Sequence, residues 1–339
     1  MMSEPICLLE AVNLALARAL EDDPEVILFG EDIGRNGGVF RATDGLAQRF
    51  GAHRVADTPL AENMIAGTAV GMATQGMRPV AEIQFMGFIF PALEQLICHA
   101  ARLRHRTRGR LSCPMVLRAP YGGGIHAPEH HSESTEALLA HIPGLRVLIP
   151  SSPARAYGLL LGAIRSDDPV IFLEPKRIYR AGRTRVEDNG QALPIDRCFT
   201  LREGADLTLI GYGAMIPECL AAAELLAERG IDCEVIDVAA LNPIDYDTLL
   251  ASVSKTGRAV IVHEAPGKGG VGADISALLG EQLWGRLRAP VIRVTGLDTV
   301  MPYYRNEQHY LPGVSDILDA VDKSLEAGRD EILQATGSG

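Results

Sequence analysis

The sequence predicts an α/β protein of two domains with mainly parallel sheets. Three features carry that prediction. Short β-branched runs alternate with longer helical patterns, the strands are apolar from end to end, and one polar stretch breaks the alternation near the middle. Strands apolar on every residue suit a parallel sheet, because crossover helices shield both of its faces from water.

The elements follow in chain order. Helical spacing over 6–21 leads into the strand "EVILFG" (25–30). A helix over 62–76 is expected next, with Thr58 as N-cap and Pro59 at its first position, where a missing N–H costs nothing. "RPVAEIQF" (78–85), a helix over 88–106, "PMVLRAP" (114–120), "LRVLIP" (145–150), a helix over 153–166 and "PVIFLEP" (169–175) complete the first set. The second set holds "DLTLIGYG" (206–213), "CEVIDVA" (233–239), "AVIVHEA" (259–265) and "PVIRVTG" (290–296), with helices over 214–229, 243–253 and 273–284. A closing helix over 315–329 is expected to be capped by Ser315, and the last four residues, "TGSG", to fray. "YRAGRTRVEDNGQALPIDR" (179–197) is polar and has neither period, so it reads as a linker. The expected division is 1–180, a linker over 181–198, and 199–339.

Composition narrows the function. A chain of 339 residues has room for roughly two cores. A net charge of −11 argues against nucleic acid as the main partner. No apolar run reaches the ~20 residues needed to cross a bilayer, so no membrane association is expected. The start, "MMSEPICLLE", resembles neither a secretory signal nor a transit peptide. Cys7, Cys98, Cys113, Cys198, Cys219 and Cys233 form no C-x-x-C pair and sit in apolar stretches, which suits a reducing cytoplasm.

Several motifs admit two readings. "GKGGVG" (267–272) satisfies G-x-G-x-x-G between a strand and a helix, but no acid ends the next strand to hold a ribose. Nicotinamide binding and a merely tight turn both remain open there, and "GYGAM" (211–215) is a weaker case. "HAPEH" (126–130) matches a zinc-protease pattern, yet Pro128 keeps its histidines off one helical face. Its titratable cluster of His126, Glu129, His130 and His131 lies on a loop after a strand, where α/β sheets keep their chemistry; a solvated polar loop is the alternative. "RLRHRTRGR" (102–110) is either a solvated helix end or a contact for an acidic partner.

"TPLAENMIAGTAVGMATQG" (58–76) poses a sharper question. Glu62 is its one carboxylate, and no Lys, Arg or His lies in the run to pair with it. As a first-turn acid it would contribute only ~0.3–1 kcal/mol through the helix dipole. Gly67 and Gly71, four apart, would instead let another backbone come close, and an acid desolvated at such an interface is suited to holding a proton.

The order of motifs goes further than any one of them. "LFGEDIGRNGGVFRATDGL", "RVADTPLAENMIAGTAVGMA", "RPVAEIQFMGFIFPALEQ", "APYGGGIHAPEHHSES", "PGLRVLIPSSP", "DDPVIFLEPKRIYR" and "VIVHEAPGKGGVGADI" follow one another. Together, over about residues 5–325, they resemble the beta subunit of the thiamine-diphosphate-dependent decarboxylase component of 2-oxo acid dehydrogenase complexes. "VFRATDGL" and "YGGGIHAPE" look like the pyruvate enzyme, "EPKRIYR" and "HEAP" like the branched-chain one, and acetoin dehydrogenase beta subunits share much of the pattern. The resemblance implies a pyrimidine-binding domain followed by a transketolase C-terminal-like domain. It also implies an α2β2 heterotetramer with an alpha subunit, acyl transfer to a lipoyl acyltransferase, a small 2-oxo acid substrate and a cytoplasmic location. The chain has no "GDG", so Mg²⁺ and the diphosphate would be held by the alpha subunit, and no metal ligands are assigned here.

The same resemblance implies roles for single residues. Glu62 would hold a proton on a ring nitrogen of the cofactor's aminopyrimidine and favour its imino tautomer. Leu60 and Gln84 would line the pyrimidine pocket, and Phe88 would pack on the ring. His131 would assist acyl transfer, with His130 a neighbour only. Some relatives hold a structural potassium ion near the equivalents of Ala163, Ile164 and Asp168; one acidic position there is Ser166 here, which weakens the case for the ion. A non-catalytic scaffold would be marked by loss of Glu62 or His131, and both are present. A free-standing NAD enzyme rests on "GKGGVG" alone.

Overall fold

The computed structural model describes residues 4–336, with side chains to residue 327. Two compact units divide the chain, residues 1–195 with 240–243, and residues 196–239 with 244–339. The final residues 337–339, expected to fray, lie outside the described residues, and Thr336 ends the last helix.

The first unit runs α1 (Leu8–Asp22), β1 (Val26–Gly30), α2 (Leu46–Phe50), β2 (Val55–Asp57), α3 (Glu62–Thr74) and β3 (Arg78–Glu82). After a series of short turns come α4 (Leu103–Arg106), β4 (Val116–Tyr121), α5 (Glu136–Ala140), β5 (Arg146–Leu148), α6 (Pro153–Arg165) and β6 (Val170–Pro175). The second unit holds β7 (Phe199–Arg202), β8 (Leu207–Gly211), α7 (Met215–Glu228) and β9 (Cys233–Asp237). β10 (Ala240–Asn242) joins the first unit's sheet, after which the second continues with α8 (Tyr246–Thr256), β11 (Ala259–Pro266), α9 (Val271–Gln282), β12 (Ile292–Gly296), α10 (Tyr304–Tyr310) and α11 (Val314–Thr336).

The strand orders are β10-β5-β6-β4-β3-β1-β2 and β12-β11-β8-β9-β7. Every pairing is parallel except the edge pairs β10–β5 and β7–β9. β4, β6, β8 and β9 are buried on every residue, as central strands covered on both faces must be. The fold class read from the sequence is therefore the one observed.

Local expectations needed correction. α3 begins at Glu62 with Ala61 as its N-cap, and Thr58 bonds the carbonyl of Pro59 instead of capping. The expected helix over 88–106 is a chain of short 3₁₀ turns, a π turn over Gln95–His99 and the single turn α4. α11 starts at Val314, so Ser315 lies inside it, and Gly313 donates to Asp316 Oδ2 at 2.9 Å. The polar stretch after β6 carries no helix or ladder, but it is laid against the first unit. Ile6 pairs with Thr184, and the Leu193 amide donates to the Gly158 carbonyl in α6 at 2.9 Å.

Candidate functional site

Three loops leave the carboxyl ends of neighbouring strands β3, β4 and β6, the end of a parallel sheet where ligands bind. The loop after β3 carries Gln84, Phe85 and Phe88, the loop after β4 carries His130 and His131, and the turn after β6 carries Lys176. Gly87 lets the first two meet. A Cβ there would lie 1.8 Å from the His130 carbonyl oxygen, so only glycine allows the 86–88 turn to seat on the 129–131 turn.

That contact builds an aromatic wall. The His131 ring lies 4.6 Å from Phe85 and 5.2 Å from Phe88, both nearly perpendicular, and 4.3 Å from His130. Edge-on ring pairs at these distances are favourable and hold the imidazole in one orientation. His131 Nδ1 is buried without a hydrogen-bond partner among the described residues. Burial pushes the pKa of His131 below the ordinary histidine range; the charges of His130 and Lys176 act in the same direction and Glu129 opposes them. Gln84 is half-buried at the start of this wall.

Beneath the wall lies a buried ionic cluster that sequence reasoning missed. Arg118, on β4, donates from Nη1 to Glu82 Oε2 on β3 at 2.7 Å. Its Nε and Nη2 reach the two oxygens of Glu174 on β6 at 2.6 and 3.0 Å. Tyr179 donates to Glu174 Oε2 at 2.5 Å. One guanidinium therefore ties together the ends of the three strands that launch the three loops. Burial raises the pKa of Glu82 although Arg118 pulls it down. Burial also works against the charge on Arg118, but Glu174 and Glu82 outweigh it. The signal was present in the sequence: a charged residue inside an apolar central strand must find a buried partner. Phe85 was missed as well. Its ring also contacts Phe40 at 5.4 Å, and the Lys176 ammonium stands 5.7 Å from its centroid.

Glu62 is half-buried at the first position of α3, not enclosed within this chain. Leu60 beside it is 70% exposed and Met64, one turn on, is 43% exposed. Asn63 anchors the turn by donating to the Pro91 carbonyl at 3.1 Å. The negative charge of Glu62 reaches Glu31, whose carboxyl is raised first by burial, then by Asp32 and Glu62. Gly67 faces the Gln95 side chain and Gly71 faces open space, so the backbone approach they were expected to permit is not made by any described part of this chain. Leu60 and Glu62 sit at the start of α3, and Gln84, Phe88 and His131 on the loops after β3 and β4.

The remaining motifs resolve differently. His126 has φ 58° and Glu129–His131 is one 3₁₀ turn, so "HAPEH" offers no helical face for zinc. No group of three metal-capable His, Cys, Asp or Glu side chains occurs among the described residues. In the glycine-rich turn, Cβ atoms at Gly270 and Gly272 would lie 2.9 and 2.6 Å from the His263 ring, so those glycines make room for a buried histidine. At the loop proposed for potassium, Arg78 Nη1 donates to the carbonyls of Ile164 and Ser166 at 3.1 and 3.0 Å, and Arg104 Nε to Asp168 Oδ1 at 2.8 Å. A cation there would have to share those oxygens with two guanidiniums. A cavity of about 480 Å³ lined by Arg104, Cys113, Arg146 and Asp168 opens at the amino ends of β4, β5 and β6, away from the aromatic wall. The basic run contributes Arg104 and His105 to its lining.

A half-buried carboxylate, an exposed apolar side chain and an aromatic wall with an orphaned imidazole nitrogen suit one end of an aromatic cofactor.

Two family models match the chain. Residues 4–182 match the transketolase pyrimidine binding domain, and residues 197–317 the transketolase C-terminal domain. A relative from Acholeplasma laidlawii, named pyruvate dehydrogenase E1 component subunit beta, is 47% identical over 322 residues, covering 95% of this chain and 98% of its own. One of the same name from Bacillus subtilis is 46% identical over 319 residues, covering 94% and 98%. Among solved structures, a split-gene transketolase described as an inactive beta4 tetramer superposes with TM-score 0.79 at 25% identity, covering 96% of this chain and all of that one. A Pichia stipitis transketolase gives 0.69 at 13% identity over 95% of this chain and 46% of its own, a likeness of fold.

Proposed function

Because this chain belongs to the family of pyruvate dehydrogenase E1 component beta subunits, we propose that it completes a thiamine diphosphate site whose diphosphate end is built by an alpha subunit. The family is thiamine-diphosphate-dependent and works with an alpha partner inside the pyruvate dehydrogenase complex. The finer reading is an α2β2 heterotetramer that decarboxylates pyruvate and passes the acyl group to the lipoyl arm of an acyltransferase. In it, Mg²⁺ lies with the alpha subunit.

The observation that carries this reading is the Glu62 carboxylate at the open first turn of α3, with no cation bonded to it among the described residues. A fixed positive neighbour would hold the carboxylate ionised; without one it can share a proton with a ring nitrogen. Glu62 would bond the aminopyrimidine, Leu60 and Gln84 would line its pocket, and Phe88 would pack on its face. When bound, the cofactor supplies an electron sink for loss of carbon dioxide. His131, held edge-on by Phe85 and Phe88, gives a proton to the lipoyl sulfur released when the dithiolane S–S bond opens. Retention of both Glu62 and His131 speaks against a scaffold role. The packing of Gly270 and Gly272 on His263 removes the reason to read that turn as a nicotinamide site.

Glu62→Gln tests the assignment. The variant should assemble with the alpha subunit, while hydrogen–deuterium exchange at the cofactor's reactive carbon slows by about 100-fold or more. Exchange at the wild-type rate in an assembled, cofactor-loaded variant would remove Glu62 from the chemistry.

A further inference from the structure

Lys176 follows β6 directly, on the single turn Lys176–Ile178, and is 3% exposed. Lysine is almost never buried to this degree, so the fold must hold it there for a reason. It is pinned from both sides. Glu174, two residues before, is clamped by Arg118, and Tyr179, three residues after, donates to the same carboxylate. The pinned ammonium stands 5.7 Å from the centroid of Phe85, and that ring meets His131 at 4.6 Å. The ammonium and the imidazole thus both stand against the same aromatic ring.

We propose that Lys176 is a positioning residue for the acyl-transfer step, a buried charge held against the Phe85 ring that governs when His131 holds a proton. The inference rests on the role given to His131 above. A low-dielectric path through packed rings screens the charge less than water would, and a nearby cation disfavours a second positive charge. The other groups acting on His131 are on its own turn: His130, which adds to the effect, and Glu129, which opposes it. Phe85 and Phe88, from the loop after β3, carry no charge. Lys176 is therefore the cation from another element among the groups that set the imidazole, and it is fixed where the two on the turn are exposed. The arrangement makes His131 a ready proton donor. A proton it takes up is passed to the opening sulfur, and the imidazole returns to its neutral form.

The test reads the titration of His131 directly. In the assembled heterotetramer, carbethoxylation of His131 by diethyl pyrocarbonate, followed by peptide mass mapping across pH, reports the fraction of neutral imidazole. Lys176→Met should move the half-point upward by about half to one pH unit, and the pH profile of lipoyl acylation should move with it. Lys176→Arg, which keeps the charge, should leave the half-point within a few tenths of a unit of wild type. Lys176→Gln removes the same charge if the methionine variant fails to assemble. An unchanged half-point in a neutral variant, or an equal shift in the arginine variant, would overturn the proposal. If His131 proved dispensable for acyl transfer, the profile of that step would not follow Lys176. The titration would still decide the electrostatic claim, so the two failures can be told apart.

Discussion

At His131 a single imidazole has to be both rigid and reactive. Two ring edges fix its plane, while burial and the charges of His130 and Lys176 keep it from holding a proton tightly. In the proposed role, such a group serves proton transfer late in the reaction rather than cofactor binding. Removing it should separate two activities. His131→Ala should keep decarboxylation with an artificial oxidant within a few-fold of wild type, while lipoyl acylation falls by about 10²–10⁴. Equal losses in the two assays would take away its separate role. The residues of this scale were unequally legible. Glu62 and His131 could be proposed from the sequence because they sit in ordered motifs. Phe85 stands between Gln84 and Phe88 with nothing in its spacing to single it out, since its importance comes from the loop after β4 folding over it. Arg118, Glu82 and Glu174 were hidden for a different reason: they lie in strands whose apolar neighbours dominate the pattern. They find their partners only once three strands are side by side.

β11 and the turn that follows it show how an element can mimic a motif. His263 points into the glycine-rich turn, is buried, and has one ring nitrogen bonded to the Ala265 carbonyl at 3.0 Å. Its Nε2 has no partner among the described residues, and burial pushes the pKa down to about 4. Since the folded value lies below the unfolded one of 6.5, the unfolded chain takes up the proton first as the pH falls. Stability from this group is therefore complete above pH 6.5 and is lost on the way down to about 4. Between pH 7 and pH 5 the loss amounts to about 2 kcal/mol. His263→Gln should lower stability at pH 7 and flatten the dependence by about that amount, as read from denaturant midpoints at the two pH values. Identical slopes in the two proteins would show that His263 does not titrate across folding. The long apolar strands were legible because burial on both faces leaves an unbroken run. The short edge strands β2, β7 and β10 were not, having three or four residues and mixed burial. The helix expected over 88–106 failed because Pro91 and a π turn at Gln95–His99 interrupt a stretch with sound helical spacing.

For the molecule as a whole, the decisive quantity is what the chain leaves unfinished. α3 turns Ile65, Ala66, Ala69 and Ala73 to the core, while its outward side carries Met64 and Gly71 beside exposed Leu60, with Asn63 and Thr68 as its polar residues. Leu60, Met64 and Phe90 are exposed apolar side chains of the kind a partner would bury. The charge balance points the same way. In the proposed reading, a chain of net charge −11 with a carboxylate at the pyrimidine end relies on its partner to offset the charge of the diphosphate. Its two domain matches are a pyrimidine-binding and a C-terminal one, and in the proposed reading the phosphate end is left to another chain. The isolated chain should therefore bind thiamine diphosphate with Mg²⁺ at least ~100-fold more weakly than the assembled pair, a difference of about 3 kcal/mol, and should not turn over pyruvate. Calorimetric titration of the chain alone and with its alpha subunit measures the first. Titrating activity with the alpha subunit, which should saturate at one alpha per beta, measures the second. Tight cofactor binding or turnover by the chain alone would mean that the phosphate end is built here after all, and the division of the site between two polypeptides would have to be abandoned.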